Sequence, residues 1–270
     1  MFSTESKQSI KRSIAKFIAT FSDKKDKNPS VILNYHSIHP AHKYATKPED
    51  FSTQMEYMSA NYTVISLHDL HEMKISKRYF SSKLAMITFD DGYEDNYEYA
   101  FPVLKQLGLP ATIFLTSGFI TGEVDIAIRD STYNELKPLR WEQIFEMRDN
   151  GIKFGSHTHT HPILTEHSLE DAEKEIIHSK EIIEDKLNES VVLFAYPLGR
   201  PKTFNGSIIA LLKKHSFELA CSAVWGHLKS NADIYALPRI RIDSCDTLSD
   251  FKDKIYGRWE FVKWIQMLKR

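Results

Sequence analysis

Short apolar runs alternate along the chain with longer segments in which apolar side chains recur every three or four residues. The apolar runs occupy residues 31–38, 62–66, 84–89, 111–115, 152–154, 191–195, 217–223 and 237–243. Segments such as 48–61 and 168–187 have the spacing of amphipathic helices. Strands that alternate with helices pair in parallel, because each crossover returns the chain to the same end of the sheet. The pattern predicts an α/β protein.

The run at residues 84–89 ends in two adjacent carboxylates, Asp90 and Asp91, and a glycine, Gly92. Its unbroken apolar character is typical of a strand covered on both faces, and Gly92 suits a sharp exit turn. Neighbouring side chains on a strand point to opposite faces, so the two carboxylates cannot both be solvated if the strand is central. Ligands bind at the carboxyl ends of parallel strands, which makes this pair a candidate for chemistry. An ordinary turn with an Asp cap is the alternative.

A second cluster, residues 155–162, places three histidines after the apolar run at 152–154. His157 and His161 would share one side of a helical turn, whereas an extended chain would put all three histidines on one face, so spacing leaves the ligand pair open. Two imidazoles together with Asp91 make a three-ligand set that leaves a coordination position open, as in catalytic zinc sites. Asp90 is then the candidate base. A histidine-rich loop without metal is the alternative.

Composition limits the remaining possibilities. The chain has 270 residues, 42% hydrophobic and 26% charged, which is ordinary for one globular catalytic domain. A net charge of −1 argues against a nucleic-acid partner. The two cysteines, Cys221 and Cys245, are expected to be small apolar residues rather than a disulfide framework. No apolar stretch reaches the roughly 18 residues of a transmembrane span, and no signal peptide is visible, so we expect a cytoplasmic protein, with export as the alternative.

The N-terminal segment 7–21 places Ile10, Ile14 and three further apolar residues on one helical face with lysines around the rest. A helix packed on the domain is the favoured interpretation, and a peripheral membrane anchor or partner-binding arm is the alternative. Residues 22–30 have the composition of a linker. We therefore expect an N-terminal helix and linker at 1–29 and a catalytic domain at 30–270.

The two polar clusters carry a family resemblance. Thr-Phe-Asp-Asp-Gly at 88–92 and Ser-His-Thr-His-Thr-His-Pro at 156–162 resemble the first two motifs of the polysaccharide deacetylases, carbohydrate esterase family 4. The resemblance covers residues from about 31 to about 242. It implies a single distorted, incomplete (β/α) barrel of about seven strands. It also implies that Asp90 is the general base and that Asp91, His157 and His161 bind a divalent transition metal, with Zn²⁺ the best match.

The first strand resembles that of a circularly permuted branch of the family, which acts on exported poly-N-acetylglucosamine. That branch has a Tyr-His pair on its first strand, and His36 matches the histidine. The resemblance implies that His36 protonates the leaving group.

The third family motif, Arg-x-Pro-Tyr-Gly, is matched only in part at residues 195–199. Aligned on its proline and glycine, the motif implies that the backbone N–H of Leu198 belongs to the oxyanion site, but Ala195 stands at the arginine position. Arg239 or Arg241, on one face of the last strand, could replace that arginine beside the base. Arg239 is favoured because the permuted relatives have a similar Leu-Pro-Arg-Ile run.

Two aromatic residues complete the predicted site. Tyr196 and Trp225 are assigned to a sugar pocket, since aromatic faces stack on pyranose rings, and a core position for Trp225 is the alternative. The predicted activity is metal-dependent removal of N-acetyl groups from an N-acetylated oligo- or polysaccharide or a glycan precursor. A catalytically silent glycan-binding protein, suggested by the altered third motif, and a deacylase of a non-sugar amide are the alternatives.

Overall fold

The computed structural model describes residues 8–15, 29–75, 83–125 and 136–268. Seven parallel strands close into a barrel, and a short eighth strand lies beside it. The order around the barrel is β1, β3, β4, β5, β6, β7 and β8, with β1 pairing β3 to close the ring and β2 pairing β3 outside it. The strands are β1 (Val31–Tyr35), β2 (Thr63–Val64), β3 (Leu84–Phe89), β4 (Thr112–Leu115), β5 (Lys153–Ser156), β6 (Leu193–Ala195), β7 (Leu219–Trp225) and β8 (Leu237–Arg241). The predicted α/β barrel is confirmed.

Helices follow most of the strands and wrap the barrel, because each parallel neighbour requires a crossover. They are α1 (residues 8–15), α2 (Pro48–Asn61), α3 (Leu67–Ile75), α4 (Phe101–Leu107), α5 (Ser117–Thr121), α6 (Trp141–Asp149), α7 (Leu169–Leu187), α8 (Gly206–Lys214), α9 (Leu248–Ile255) and α10 (Phe261–Leu268). A π-helical turn (Asn96–Ala100) precedes α4 and a 3₁₀ turn (Leu164–Glu166) precedes α7. A side-chain cap begins α7, where the Ser168 side chain accepts a hydrogen bond from the Asp171 N–H.

Alternate strand residues divide between two apolar clusters, as the period of two requires. One cluster lies between the strands and the helices and includes Leu33 and Phe51. The other contains residues from several strands, among them Ile32, Met86 and Leu237, and fills the barrel interior. The interior is therefore packed rather than open, and the strands are buried on both faces.

The interior face of the barrel changes from apolar to polar towards the carboxyl ends of the strands. Two residues beyond Ile32, Met86 and Leu237 are Asn34, Thr88 and Arg239, all buried. Two residues further along β1 and β3 come His36 and Asp90. The strand period thus carries one row of polar side chains up to the mouth of the barrel, where the site lies.

The N-terminal helix α1 packs on the domain. Gln8 donates to Asp246 at 2.7 Å, Arg12 forms an ion pair with Asp250 at 2.7 Å, and Ala15 is buried. Residues 16–28, which hold the rest of the predicted amphipathic segment and most of the linker, lie outside the described residues. Membrane contact through residues 7–21 stays a prediction. None of the helices in the described ranges has the length and apolarity needed to cross a bilayer.

Candidate active site

Asp90 is held by an arginine at the bottom of the barrel mouth. The guanidinium of Arg239 donates from both terminal nitrogens to the two carboxylate oxygens of Asp90, each at 2.7 Å, and from Nε to the Ser222 carbonyl at 2.8 Å. Asn34 donates from Nδ2 to Asp90 Oδ2 at 2.7 Å. Burial alone would raise the pKa of Asp90, but the facing charge of Arg239 outweighs it and holds that pKa well below its usual range. Asp90 is a fixed, ionised carboxylate.

Asp91 lies beyond the end of the strand, so the expected alternation of the two carboxylates across a strand does not apply. β3 ends at Phe89, and Asp91 and Gly92 have φ of 76° and 85°. Two successive left-handed residues turn the chain sharply and let both carboxylates face the mouth. A Cβ on Gly92 would lie 2.9 Å from a Leu115 side-chain carbon, which favours glycine there on steric grounds as well.

The Oδ1 atom of Asp91 is buried and, among the residues that the structure describes, accepts no hydrogen bond, although it lies 3.6 Å from His157 Nε2 and 3.7 Å from His161 Nε2. A buried carboxylate oxygen without a donor is costly unless a cation neutralises it. The ligand atoms of a tetrahedral zinc site with bonds of about 2.0–2.1 Å stand about 3.3 Å apart, close to the spacing found here. These three residues therefore fit a divalent metal.

The orientation of His157 is that of a metal ligand. Its Nδ1 lies 2.8 Å from the Ala195 carbonyl oxygen, which can only accept, so Nδ1 carries the proton and Nε2 presents a lone pair to Asp91. Burial, the largest effect, lowers the pKa of His157 to about 4 and keeps the imidazole neutral. The His157 imidazole is therefore in the protonation state that metal binding requires.

The loop after β5 turns tightly. Of the two arrangements that the histidine spacing allowed, this turn produces the one in which His157 and His161 share a side. Thr158 and His161 have φ of 69° and 60°, and the His161 N–H donates to Thr158 Oγ1 at 3.1 Å. His157 and His161 consequently meet with ring centroids 4.9 Å apart. His159 does not join them and instead contacts Ser117 at 3.0 Å.

His36 follows β1 at the same mouth and is partly buried. Its carbonyl oxygen accepts a hydrogen bond from Asn96 Nδ2 at 2.7 Å, which ties the segment after β1 to the segment after β3. Burial lowers the pKa of His36, and the charges of Asp91 and Asp90 oppose that shift. His36 lies two residues after Asn34, whose side chain donates to Asp90, so the strand period puts His36 on the same interior face.

The turn after β6 presents Leu198 at the mouth. Leu198 and Gly199 have φ of 57° and 52°, and the Gly199 carbonyl accepts from the Ala223 N–H at 2.7 Å. A Cβ on Gly199 would lie 2.5 Å from the Ala223 nitrogen, so this close approach to β7 requires glycine. Within the described part of the chain, the Leu198 N–H donates no hydrogen bond, which leaves a donor available to an oxyanion.

Two sequence-based assignments need correction. Tyr196 and Trp225, assigned to a sugar pocket, are only 1% and 4% exposed. Tyr196 stacks on Phe204 and donates to the Tyr235 carbonyl, and Trp225 stacks on Trp259. Both side chains belong to the core.

Sequence reasoning overlooked Asn34 and left Arg241 as a rival to Arg239. Asn34 is a polar residue inside an apolar run and shares its strand face with His36, and this periodicity was a usable signal. Arg241 is exposed and pairs with Asp243 at 3.0 Å, whereas Arg239 lies against Asp90.

The comparisons with known proteins agree with this geometry. Residues 77–220, more than half of the chain, match the polysaccharide deacetylase family. The chain belongs to the polysaccharide deacetylase family. Its relatives include YxkH of Bacillus subtilis (strain 168), which is named as a polysaccharide deacetylase and is 29% identical over 78% of this chain and 70% of its own. A poly-β-1,6-N-acetyl-D-glucosamine N-deacetylase of Staphylococcus epidermidis is 26% identical over 83% of each chain.

Solved structures of deacetylases share the fold. The Streptococcus pyogenes deacetylase PplD, solved in complex with acetate, superposes with a TM-score of 0.72 at 24% identity, covering 85% of this chain and 99% of that one. IcaB from Ammonifex degensii gives a TM-score of 0.72 at 22% identity, covering 86% and 97%. These similarities support the deacetylase barrel over most of the chain.

Proposed function

We propose that this protein is a metal-dependent hydrolase that removes N-acetyl groups from an N-acetylated sugar in a glycan or glycan precursor. The observation that carries the proposal is the buried Asp91 Oδ1, which accepts no hydrogen bond from any described residue and faces two imidazole nitrogens at 3.6 and 3.7 Å. A cation placed there would neutralise an otherwise costly buried charge. The adjacent Asp90 supplies a second carboxylate that is not needed as a ligand.

Asp91, His157 and His161 would hold the metal, and Zn²⁺ fits two imidazoles and one carboxylate. When bound, such a metal polarises the acetyl carbonyl and lowers the pKa of water. The Ala195 carbonyl fixes the His157 ring, so the ligand set is preorganised.

Asp90 is proposed as the group that takes the proton from the attacking water. Oδ2 already accepts from Arg239 and Asn34, whereas within the described ranges Oδ1 accepts only from Arg239 Nη1. Oδ1 therefore has room for one more donor and is the oxygen expected to receive the proton. Arg239 makes Asp90 a weaker base but keeps it ionised and oriented. The contribution of Asp90 to catalysis then comes from its fixed position rather than from its basicity.

Leu198 and His36 are proposed to act on the oxygen and on the nitrogen of the amide that is cleaved. The Leu198 N–H would donate to the oxygen that becomes negative in the tetrahedral state. His36 would give a proton to the departing nitrogen, because an amine anion is a very poor leaving group. Both residues follow strand ends at the barrel mouth, on either side of the proposed metal position.

The substrate class rests on the family and its relatives. The Staphylococcus epidermidis relative is named for poly-β-1,6-N-acetyl-D-glucosamine, which supports an N-acetylated oligo- or polysaccharide as the partner of this chain. The rival proposal of a silent glycan-binding protein was suggested by Ala195 in the third motif. Its main support weakens because Arg239 supplies a bidentate partner to Asp90.

Acetate release from N-acetylglucosamine oligomers tests the proposal. We expect release that stops after treatment with a chelator and returns when Zn²⁺ is added. Asp90→Asn is the matched control: it should keep the bound metal, because the ligands are untouched, yet release acetate at least about 10²-fold more slowly. Metal-replete protein that binds these oligomers without releasing acetate would favour the silent glycan-binding protein. Release from simple acetamides but not from sugars would favour a non-sugar deacylase.

A further inference from the structure

A second cluster of two histidines and one carboxylate lies next to the proposed catalytic site. His159 contacts His178 of α7, with ring centroids 4.3 Å apart, and its Nε2 lies 3.4 Å from Oε2 of Glu123. One potential ligand atom from each of these residues lies within 4.8 Å of the other two. Three separate elements, the loop after β5, helix α7 and the segment after α5, bring these atoms together.

The His159 ring is fixed by a buried hydroxyl. Ser117 Oγ contacts His159 Nδ1 at 3.0 Å, which leaves Nε2 directed at Glu123. A serine, histidine and glutamate in this order suggest a nucleophilic triad, but Ser117 is 0% exposed and cannot reach a substrate. Its role is to orient the ring, and metal-binding histidines are commonly oriented by such a hydrogen bond at their other nitrogen.

The backbone around His159 is also held in place. Glu175 of α7 accepts from the N–H groups of His159 and Thr160 at 3.0 and 2.8 Å, and from Thr160 Oγ1 at 2.8 Å. Glu175 and His178 are three residues apart and share one face of α7. The same helix face therefore positions the His159 backbone and supplies a second imidazole beside it.

The three side chains converge on one point. His159 Nε2 lies 3.4 Å from Glu123 Oε2, and the His178 ring lies against the His159 ring with centroids 4.3 Å apart. A cation bound by two imidazoles and one carboxylate would satisfy all three groups. Imidazole with carboxylate is a donor set for Zn²⁺ and related transition metals, not for Ca²⁺ or Mg²⁺.

We propose that Glu123, His159 and His178 form a second divalent transition-metal site, distinct from the catalytic one. A metal there would fasten the loop that carries His157 and His161 to α7 and to the segment after α5. The Glu123 side chain is 55% exposed and His178 is exposed, so water competes for the metal. The second site is weaker than the catalytic one and stabilises the loop without taking part in hydrolysis.

Zinc stoichiometry of the full chain tests the second site. After equilibrium dialysis against buffered Zn²⁺ and elemental analysis, we expect two bound equivalents for the unmodified chain and one for His178→Ala or Glu123→Gln. His167→Ala is the control: it removes an exposed histidine just before α7 and should keep two bound equivalents of Zn²⁺. One equivalent in the unmodified chain that both His178→Ala and Glu123→Gln retain, or two in both single variants, would overturn the site.

Thermal unfolding in the His157→Ala background gives an independent readout, because there the catalytic ligand set is incomplete. Excess Zn²⁺ should raise Tm through the remaining site, and adding His178→Ala should abolish that rise. A rise that survives His178→Ala overturns the proposal. Neither measurement depends on acetate release, so failure of the proposed hydrolysis and failure of this site are separate results.

Discussion

Two clusters, each of two histidines and one carboxylate, lie on opposite sides of the turn after β5 and differ in burial. In the buried cluster, the side chains of Asp91 and His157 are 7% and 2% exposed. In the surface cluster, Glu123 is 55% exposed and also accepts a hydrogen bond from the Thr121 hydroxyl at 2.7 Å. Burial removes both water and rival donors from Asp91 Oδ1, so its preference for a cation is much stronger than that of Glu123. Both clusters offer the same types of metal ligand, so their surroundings decide how tightly each cluster binds a metal and which role that metal has.

The turn itself creates this division. Left-handed Thr158 and His161 reverse the backbone, so the first and third histidines face the barrel mouth and the second faces α7. Left-handed conformations are unfavourable for side chains of this size. They persist because the His159 N–H donates to the Glu175 carboxylate and the His161 N–H donates to Thr158 Oγ1, which holds the loop. The strained residues are therefore those of the turn that separates the two clusters.

Substitution of the buried ligands should have the largest effect. Asp91→Asn, His157→Ala and His161→Ala should each lose the tightly bound metal and activity together, whereas His159→Ala should keep both. The reason is that only the first three groups face one another in the buried cluster. Metal analysis at one added equivalent, with acetate release on the same samples, measures both properties. Loss of the tight equivalent in the His159 variant alone would show that the ligand pair is wrongly assigned.

Replacement of His36 tests the site around the buried cluster without removing a metal ligand. His36→Gln should keep the metal and slow acetamide hydrolysis by about 10²- to 10⁴-fold. An activated acetyl ester, whose leaving group needs no proton, should be affected much less. Steady-state rates on the two substrates measure the difference. Equal damage to both would mean that His36 is a structural or substrate-contact residue.

The pH profile of the same variant adds a directional check. A general acid acts in its protonated form, so activity is lost as pH rises through its pKa. Burial lowers the pKa of His36, which moves this alkaline limb below the position expected for an exposed histidine. His36→Gln should lack the limb. An unchanged alkaline limb in the variant would assign it to another group.

Much of the fold could be predicted from residue patterns. The apolar run of β3 and the helical spacing of residues 48–61 both gave local signals that the structure follows closely. The Asp-Asp-Gly and His-x-x-x-His segments were also visible as polar groups at the ends of apolar runs. Short-range periodicity and turn chemistry carry such features, because they depend on few neighbours.

Features that depend on contacts across the barrel could not be predicted. Arg239 and Arg241 look alike in sequence, and only closure of β8 against β1 puts the first inside and the second outside. Tyr196 is buried because Phe204 stacks on it, a contact that no local pattern reveals. The direction of His159 likewise depends on Ser117 of another segment.

A buried and an exposed carboxylate should also differ in how they couple stability to pH. Asp95, in the segment after Asp91, accepts hydrogen bonds from the Ser37 hydroxyl, from the Ile38 N–H at 3.2 Å and from Asn96 Nδ2 at 2.9 Å. Burial raises the pKa of Asp95 to about 7, although these donors oppose the shift. At the surface cluster, the Thr121 hydroxyl lowers the pKa of Glu123. The two carboxylates therefore have shifts of opposite sign.

The smallest effect on activity is expected for Asp95→Asn, which should change stability instead. Because the folded pKa of Asp95 lies above its usual value of 3.8, its contribution to stability is full below that value and is lost as pH rises to about 7. Asn cannot ionise, so relative to the unmodified chain the variant should gain up to about 4 kcal/mol between pH 4 and 8, at about 1.4 kcal/mol per unit. Urea unfolding at several pH values measures this, with Glu123→Gln expected to show no such gain. A variant that tracks the unmodified chain at every pH would mean that Asp95 ionises normally in the fold, and that burial at this end of the barrel is shallower than its contacts imply.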